Sequence, residues 1–201
     1  PHFLFNTLNL ITQMSYLEDA KQTSSLLESM SDLLRYNLDK FGSIVSIEEE
    51  IGNVMDYIFI QKKRFGERIR FEVNVSKQSY NCLIPCLVIQ PLVENSIIHG
   101  VQSYTDNGYI QVKVLRHKER VIIKVSDNGL GMVKERLEEI KNSLNDDVKN
   151  SNLGGIGLSN VVARLKIYYE GDVLVHINSS VNKGTVISLD IPAKEKETDN
   201  V

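Results

Sequence analysis

The sequence predicts an α+β chain, a helical hairpin over residues 1–45 followed by an α/β sandwich with a mixed sheet. Two observations predict this. Apolar residues recur every three or four positions in the N-terminal part, the period of a helix face, and then alternate singly, the period of a half-buried strand. Glycine-rich segments also stand where strands end and helices begin.

Leu4, Leu8, Ile11 and Met14 line one face of a first helix. Leu26, Met30, Leu33, Leu34 and Leu38 line a second, after a polar stretch around Glu18 to Ser25. Such a hairpin buries little apolar surface by itself, so pairing with a second copy into a four-helix bundle is expected. Phe41-Gly42-Ser43 ends it. Ser46 and Glu49 then form a capping box opening a third helix on Ile47, Ile51, Val54 and Ile58, which stops near Phe65 and Gly66.

Beyond that, Ile69, Phe71, Val73 and Val75 alternate as a strand, and an apolar helix is expected over Leu87 to His99 with Leu92, Val93, Ile97 and Ile98 toward the core. Tyr109–Leu115 and Arg120–Val125 read as a β-hairpin turning at His117-Lys118-Glu119. A Lys/Glu-rich helix follows over Val133–Ser143, then an unpatterned loop over Leu144–Ser151. A helix over Leu158–Tyr168 and strands over Val173–Ile177 and Thr185–Ile191 complete the pattern. The domains expected are 1–45, 46–194 and a charged tail, 195–201.

Composition narrows the function. The chain is 42% hydrophobic and 24% charged, as a soluble globular domain is, and its net charge of −3 offers no basic field for nucleic acid. Cys82 and Cys86 lack the partners of a zinc site and read as small buried hydrophobes in a reducing compartment. No apolar run reaches the ~18 residues that span a bilayer. The chain opens at Pro1, inside a helical pattern and without an initiator Met, so a fragment of a longer protein is expected.

Four segments carry chemistry. In Pro1-His2-Phe3-Leu4-Phe5-Asn6-Thr7-Leu8-Asn9, an exposed neutral imidazole is a competent nucleophile toward phosphorus, and Asn6 lies one turn along the same face. In Pro91-Leu92-Val93-Glu94-Asn95-Ser96-Ile97-Ile98-His99-Gly100, Glu94 and Asn95 interrupt an apolar helix with oxygen ligands that suit Mg²⁺, and His99 stands at its C-terminal end. Asp127-Asn128-Gly129-Leu130-Gly131-Met132 ends a strand with a carboxylate that can accept from an exocyclic amine. Gly154-Gly155-Ile156-Gly157-Leu158-Ser159-Asn160 runs a glycine-rich loop into a helix, where backbone N–H groups favour phosphate. Taken singly, the first three have plainer readings: a surface histidine, a solvated polar stripe, a hairpin turn.

Together and in this order, the four segments resemble the sensor histidine kinases of the LytS/YesM type. Pro1–Asn9 is similar to that family's phosphoacceptor box, Pro91–Gly100 to its N box, Asp127–Met132 to its G1 box and Gly155–Asn160 to its G2 box. Tyr57-Ile58 to Arg64-Phe65 and Gly184-Thr185 to Pro192 look like further landmarks. The resemblance implies a Bergerat-type ATP-binding sandwich joined to a dimerising hairpin, with ATP and Mg²⁺ as cofactors. It implies His2 as phosphoacceptor, Asn95 as Mg²⁺ ligand and Asp127 as acceptor of the adenine amine. Gly129 and Gly131 would admit the nucleotide closely, and Gly155 and Gly157 would flank its phosphates. Leu158, His99 and Thr185 would lie near it, and Met132–Leu153 would be the lid. Asn6 also points to a reverse phosphatase activity.

The implied partners are a second copy of the chain and a cognate response regulator. Membrane attachment would come only through a missing N-terminal sensor region, leaving this portion cytoplasmic. The sequence departs from other histidine kinases twice. Phe3 stands where many carry an acid after the phosphoacceptor, so Glu94 is the expected base or orienter. Leu153 stands where relatives often carry glycine. Two alternatives stay open: an ATPase of the same fold without kinase activity, or a dimerisation module that binds nucleotide only structurally.

Overall fold

The computed structural model describes residues 2–102, 106–145 and 156–195. Helix α1 (His2–Leu17) and helix α2 (Lys21–Asp39) form the hairpin. Its turn is shorter than the sequence pattern predicts, because the serine-rich stretch is already helical: Ser24 and Ser25 donate back to the carbonyls of Ala20 and Lys21. The helices approach through small residues, and buried Ser15 and Ser24 share a hydrogen bond of 2.9 Å. Leu8 alone of the α1 apolar set is buried in the single chain, while Leu4, Ile11 and Met14 stay exposed.

A short strand β1 (Ile44–Ser46) leads into α3 (Ile47–Phe65), and the capping box is present: Ser46 accepts from the Glu49 N–H, and the Glu49 carboxylate accepts from the Ser46 N–H. Gly66, at φ 59°, ends α3. Strands β2 (Ile69–Val75) and β3 (Leu83–Pro85) follow, with β3 antiparallel to β1. Helix α4 (Gln90–Asn95) passes directly into a wider π-type turn, Ser96–Val101. Then come β4 (Gly108–His117), β5 (Arg120–Asp127), α5 (Lys134–Asn145), α6 (Ile156–Tyr168), β6 (Leu174–Ser179) and β7 (Thr185–Pro192).

The main sheet has the order β2-β4-β5-β7-β6, parallel only between β2 and β4. Its inward residues join α3, α4 and α6 in one core containing Ile58, Leu92, Val112, Ile123, Leu165 and Leu189. Both cysteines are buried and free. No helix among the described residues is long and apolar enough to cross a membrane.

Two local expectations need correction. Ile98 is 57% exposed, because the π-type turn rotates it and His99 off the core face. Leu144 is not in a loop: it is buried in the last turn of α5, and its carbonyl accepts from Lys166 at 2.7 Å. The remainder of the expected loop, Leu153 and Gly155 lie outside the described residues.

Candidate functional site

Strand β5 sets the centre of the site. Val121, Ile123 and Val125 face the core, and period-two alternation puts Asp127 next on that same side. The carboxylate is 9% exposed and held by three donors: the Gly129 N–H at 2.9 Å, the Thr185 N–H at 3.2 Å, and the Ser96 side chain. Burial still wins over these donors and raises its pKa above the usual aspartate value.

A cavity of about 260 Å³ opens over it. Asn95, His99, Asp127, Gly131, Leu158 and Thr185 line it, so six sequence-predicted positions meet at one place. Ser96, Gly100, Met132, Arg136 and Ser159 line it too. Apolar side chains of Met132, Ile140, Leu158, Ile177 and Ile187 share the lining with these converging polar groups, as in a small-molecule pocket.

The glycines serve protein packing first. A Cβ on Gly129 would come within 2.3 Å of the Gly100 backbone, and one on Gly131, at φ 62°, within 1.9 Å of the Ser180 carbonyl oxygen. Chain packs against chain at both positions, and of the two Gly131 also lines the cavity. A Cβ on Gly157 would meet the Asn95 side chain only at ordinary van der Waals distance. The Asp127–Gly131 loop is stitched on every side. Leu130 donates to the Gly100 carbonyl at 3.1 Å, and Asn182 donates to the Leu130 carbonyl at 2.7 Å. The Asn128 side chain bridges Tyr109 and Asn107.

Helix α4 is anchored from behind. Glu50 of α3 is fully buried, and its carboxylate accepts from the Leu87, Val88 and Ile89 N–H groups at 2.9, 2.8 and 2.8 Å. Arg164 of α6 donates to the carbonyls of Cys86 and Leu87. This two-sided clamp holds Leu87 at φ 56°, an uncommon conformation for a branched residue. Glu94 does not line the cavity; it accepts from Gln90 at 2.6 Å, and Gln90 in turn accepts from Asn53. Tyr57 lies close enough that its hydroxyl is pushed up to about 12, by burial first and then by the Glu94 carboxylate.

His2 stands apart from this cavity, exposed in the first turn of α1. The Asn6 amide nitrogen is 3.1 Å from its Nδ1. The two orientations of that amide are isosteric and leave opposite tautomers. Donation from Asn6 to Nδ1 places the ring proton on Nε2, whereas donation from Nδ1–H to the amide oxygen leaves Nε2 with a free lone pair. The Arg35 guanidinium lies 5.9 Å from the Phe5 ring centre, which brings the start of α1 beside the end of α2.

The histidine kinase-, DNA gyrase B-, and HSP90-like ATPase family matches residues 84–195, and the histidine kinase family matches residues 1–69. The chain belongs to the sensor histidine kinase family. The sensor histidine kinase YesM of Bacillus subtilis is 35% identical over 98% of this chain and 32% of its own length. The sensor protein kinase HptS of Staphylococcus aureus is 32% identical over 99% of this chain and 38% of its own. The chain thus spans about a third of these relatives. The histidine kinase domain of the Erythrobacter litoralis blue-light activated kinase has the same fold, with TM-score 0.52 and 15% identity over 92% of this chain and 85% of that one. So has the mycobacterial sensor histidine kinase MprB, with TM-score 0.53 and 17% identity over 77% and 99%.

Within this histidine kinase chain, sequence reading missed Ser96, Arg136, Glu50 and Arg164. Ser96 had a signal, since it follows Asn95 in the same polar break. Glu50 and Arg164 had none: they act on backbone groups 37 to 39 and 77 to 78 positions away, which periodicity does not report.

Proposed function

We propose that the chain is the phosphotransfer core of a protein-histidine kinase, which moves the ATP γ-phosphoryl group to His2 and then to an aspartate of a response regulator. One observation carries this reading: a single chain holds both a pocket floored by a buried carboxylate and an exposed histidine paired with an amide at the head of a hairpin. In this proposal Asp127 accepts the adenine amine, Thr185 and Leu158 lie beside the nucleotide, and Gly157 in the first turn of α6 flanks the phosphates together with Gly155, which lies outside the described residues. His99 stands at the pocket mouth.

A divalent ion fits the donor set in one way. Asn95 offers a single side-chain oxygen, and the described residues contain no cluster of three acidic or soft ligands. Mg²⁺ keeps most of its waters and binds through phosphates plus one or two protein groups, so Asn95 suffices. When bound, the ion neutralises phosphate charge; the protein's task is positioning.

In the transfer, a bond forms between a ring nitrogen of His2 and Pγ as the bond from Pγ to the bridging oxygen breaks and ADP leaves. The ring proton must depart, and Glu94 is proposed as its acceptor or as the group that orients the ring. The Glu94 carboxylate engages Gln90 through one oxygen, Oε1. His2 and the pocket stand apart, so the nucleotide-binding part must move toward the hairpin before transfer. The exposed Leu4, Ile11 and Met14 fit a homodimeric bundle. As proposed boundaries, residues 1–45 form the hairpin and 46–194 the catalytic domain, the cytoplasmic part of a membrane sensor.

Incubation with Mg²⁺ and γ-labelled ATP tests the reading. The chain is expected to incorporate label, and His2→Gln is expected to incorporate none; label retained by that variant would refute the assignment. Glu94→Gln is expected to slow labelling about 10²-fold or more, the usual range for a general base, with ATP affinity unchanged. Normal labelling by Glu94→Gln would remove it from the proton's path.

A further inference from the structure

The clamp behind α4 reaches outside the nucleotide-binding part. Glu50 receives a fourth hydrogen bond, from the Tyr36 hydroxyl of α2 at 2.6 Å. The same carboxylate that caps the N–H groups before α4 is therefore tied to the hairpin that carries His2. Tyr36 follows Arg35, which meets Phe5, so the bond sits at the level of the His2 end of the hairpin.

The seam between α2 and α3 around it carries further polar contacts. Lys40 pairs with Glu49 at 2.9 Å, an exposed contact that solvent can replace. Further along, Asp56 of α3 faces Ser29 and Asp32 of α2, and burial together with the Asp32 charge raises its pKa. Near Tyr36, Asn37 buries its side-chain oxygen with no hydrogen-bond partner. A like-charge pair and a solvent-replaceable ion pair across the seam favour its opening. The Glu50 carboxylate keeps three backbone donors if Tyr36 leaves, so the hydroxyl can release without unmaking the cap. The bond can thus open while the pocket stays intact.

We propose that Tyr36 is a positioning residue, a latch whose hydroxyl bond to Glu50 holds the nucleotide-binding part in a resting arrangement and must open for transfer to His2. This rests on the kinase reading above. The latch acts through Glu50 on the clamp at residues 86–89, which leads straight into the helix bearing Glu94 and Asn95. A change in the tilt of α2 would bear first on this bond.

The test uses the full chain and Tyr36→Phe, which keeps the ring and removes only the hydroxyl. Spin labels at Lys21→Cys on α2 and Lys183→Cys on the β6–β7 turn report the arrangement; Cys82 and Cys86 are buried. An ordinary net hydrogen bond, exchanged for bonds to water when it opens, predicts a roughly five- to tenfold shift in the resting population. Tyr36→Phe should therefore broaden the label distance distribution, raise the rate of His2 labelling at saturating ATP about five- to tenfold, and leave ATP affinity within about twofold. An unchanged distance distribution would overturn the latch. So would a broadened distribution with slower labelling, because the bond would then hold the productive arrangement, and so would a lost ATP affinity, because the hydroxyl would then serve the pocket. If the unaltered chain labels no histidine, the kinase reading fails, and the distance distribution still decides whether the latch exists.

Discussion

Asp127→Asn is expected to weaken ATP binding about 10- to 100-fold, the loss that follows when a hydrogen bond to a charged acceptor becomes one to a neutral amide whose own N–H₂ opposes a donor. Stability should move the other way. Burial raises the folded-state pKa of Asp127, so its ionised form is penalised in the folded chain. The sign follows directly. The folded pKa lies above the unfolded value, so the group destabilises the empty protein at pH above the raised pKa, and the penalty is relieved as pH falls toward the ordinary aspartate value. With Asp127 in its proposed role as acceptor of the adenine amine, nucleotide binding should weaken over that same fall in pH.

The empty chain and Asp127→Asn should therefore converge in unfolding free energy on acidification, with the variant the more stable at neutral pH. ATP affinity of the unaltered chain should decline across that window while the variant's stays flat. Calorimetric binding and denaturant unfolding at matched pH measure both. A variant less stable than the parent at neutral pH would show that the three donors around Asp127 outweigh its burial.

The second large effect is expected at Gly129. A side chain there meets the Gly100 backbone at 2.3 Å, a clash with main chain and not with a movable side-chain tip. Gly129→Ala should lower the unfolding free energy by about 2–4 kcal/mol even with no nucleotide present, as overpacking against fixed backbone does. It should also displace Leu130, whose N–H donates to the Gly100 carbonyl. If the glycine only admitted a ligand, the empty variant would unfold like the parent. Equal denaturation midpoints without ATP would therefore decide against the packing explanation.

Much of this was legible in the residues. The change from helical to alternating period located the hairpin and the sheet, because each pattern reports which side of an element faces the core. Ser46 and Glu49 announced α3 through local chemistry alone, and the structure has both bonds of that box. Asp127 was legible as a strand-end carboxylate, and the inward alternation of Val121, Ile123 and Val125 places it on the buried side. The π-type turn after Asn95 was not legible. It turns Ile98 and His99 outward while Gly100 seats against Asp127 and Gly129, contacts that come from distant strands.

Element types, the helix cap and the order of the four segments depend on neighbours along the chain, and so are written in its residues. The folded chain brings Asn95, Asp127, Leu158 and Thr185 to one cavity and seats Gly129 against the Gly100 backbone. It alone revealed that Glu50 joins Tyr36 to residues 87–89. A buried carboxylate surrounded by backbone N–H groups leaves no trace in periodicity or charge pattern, because its donors carry no side-chain identity. That is the physical reason the link between hairpin and pocket appears only once the chain is folded.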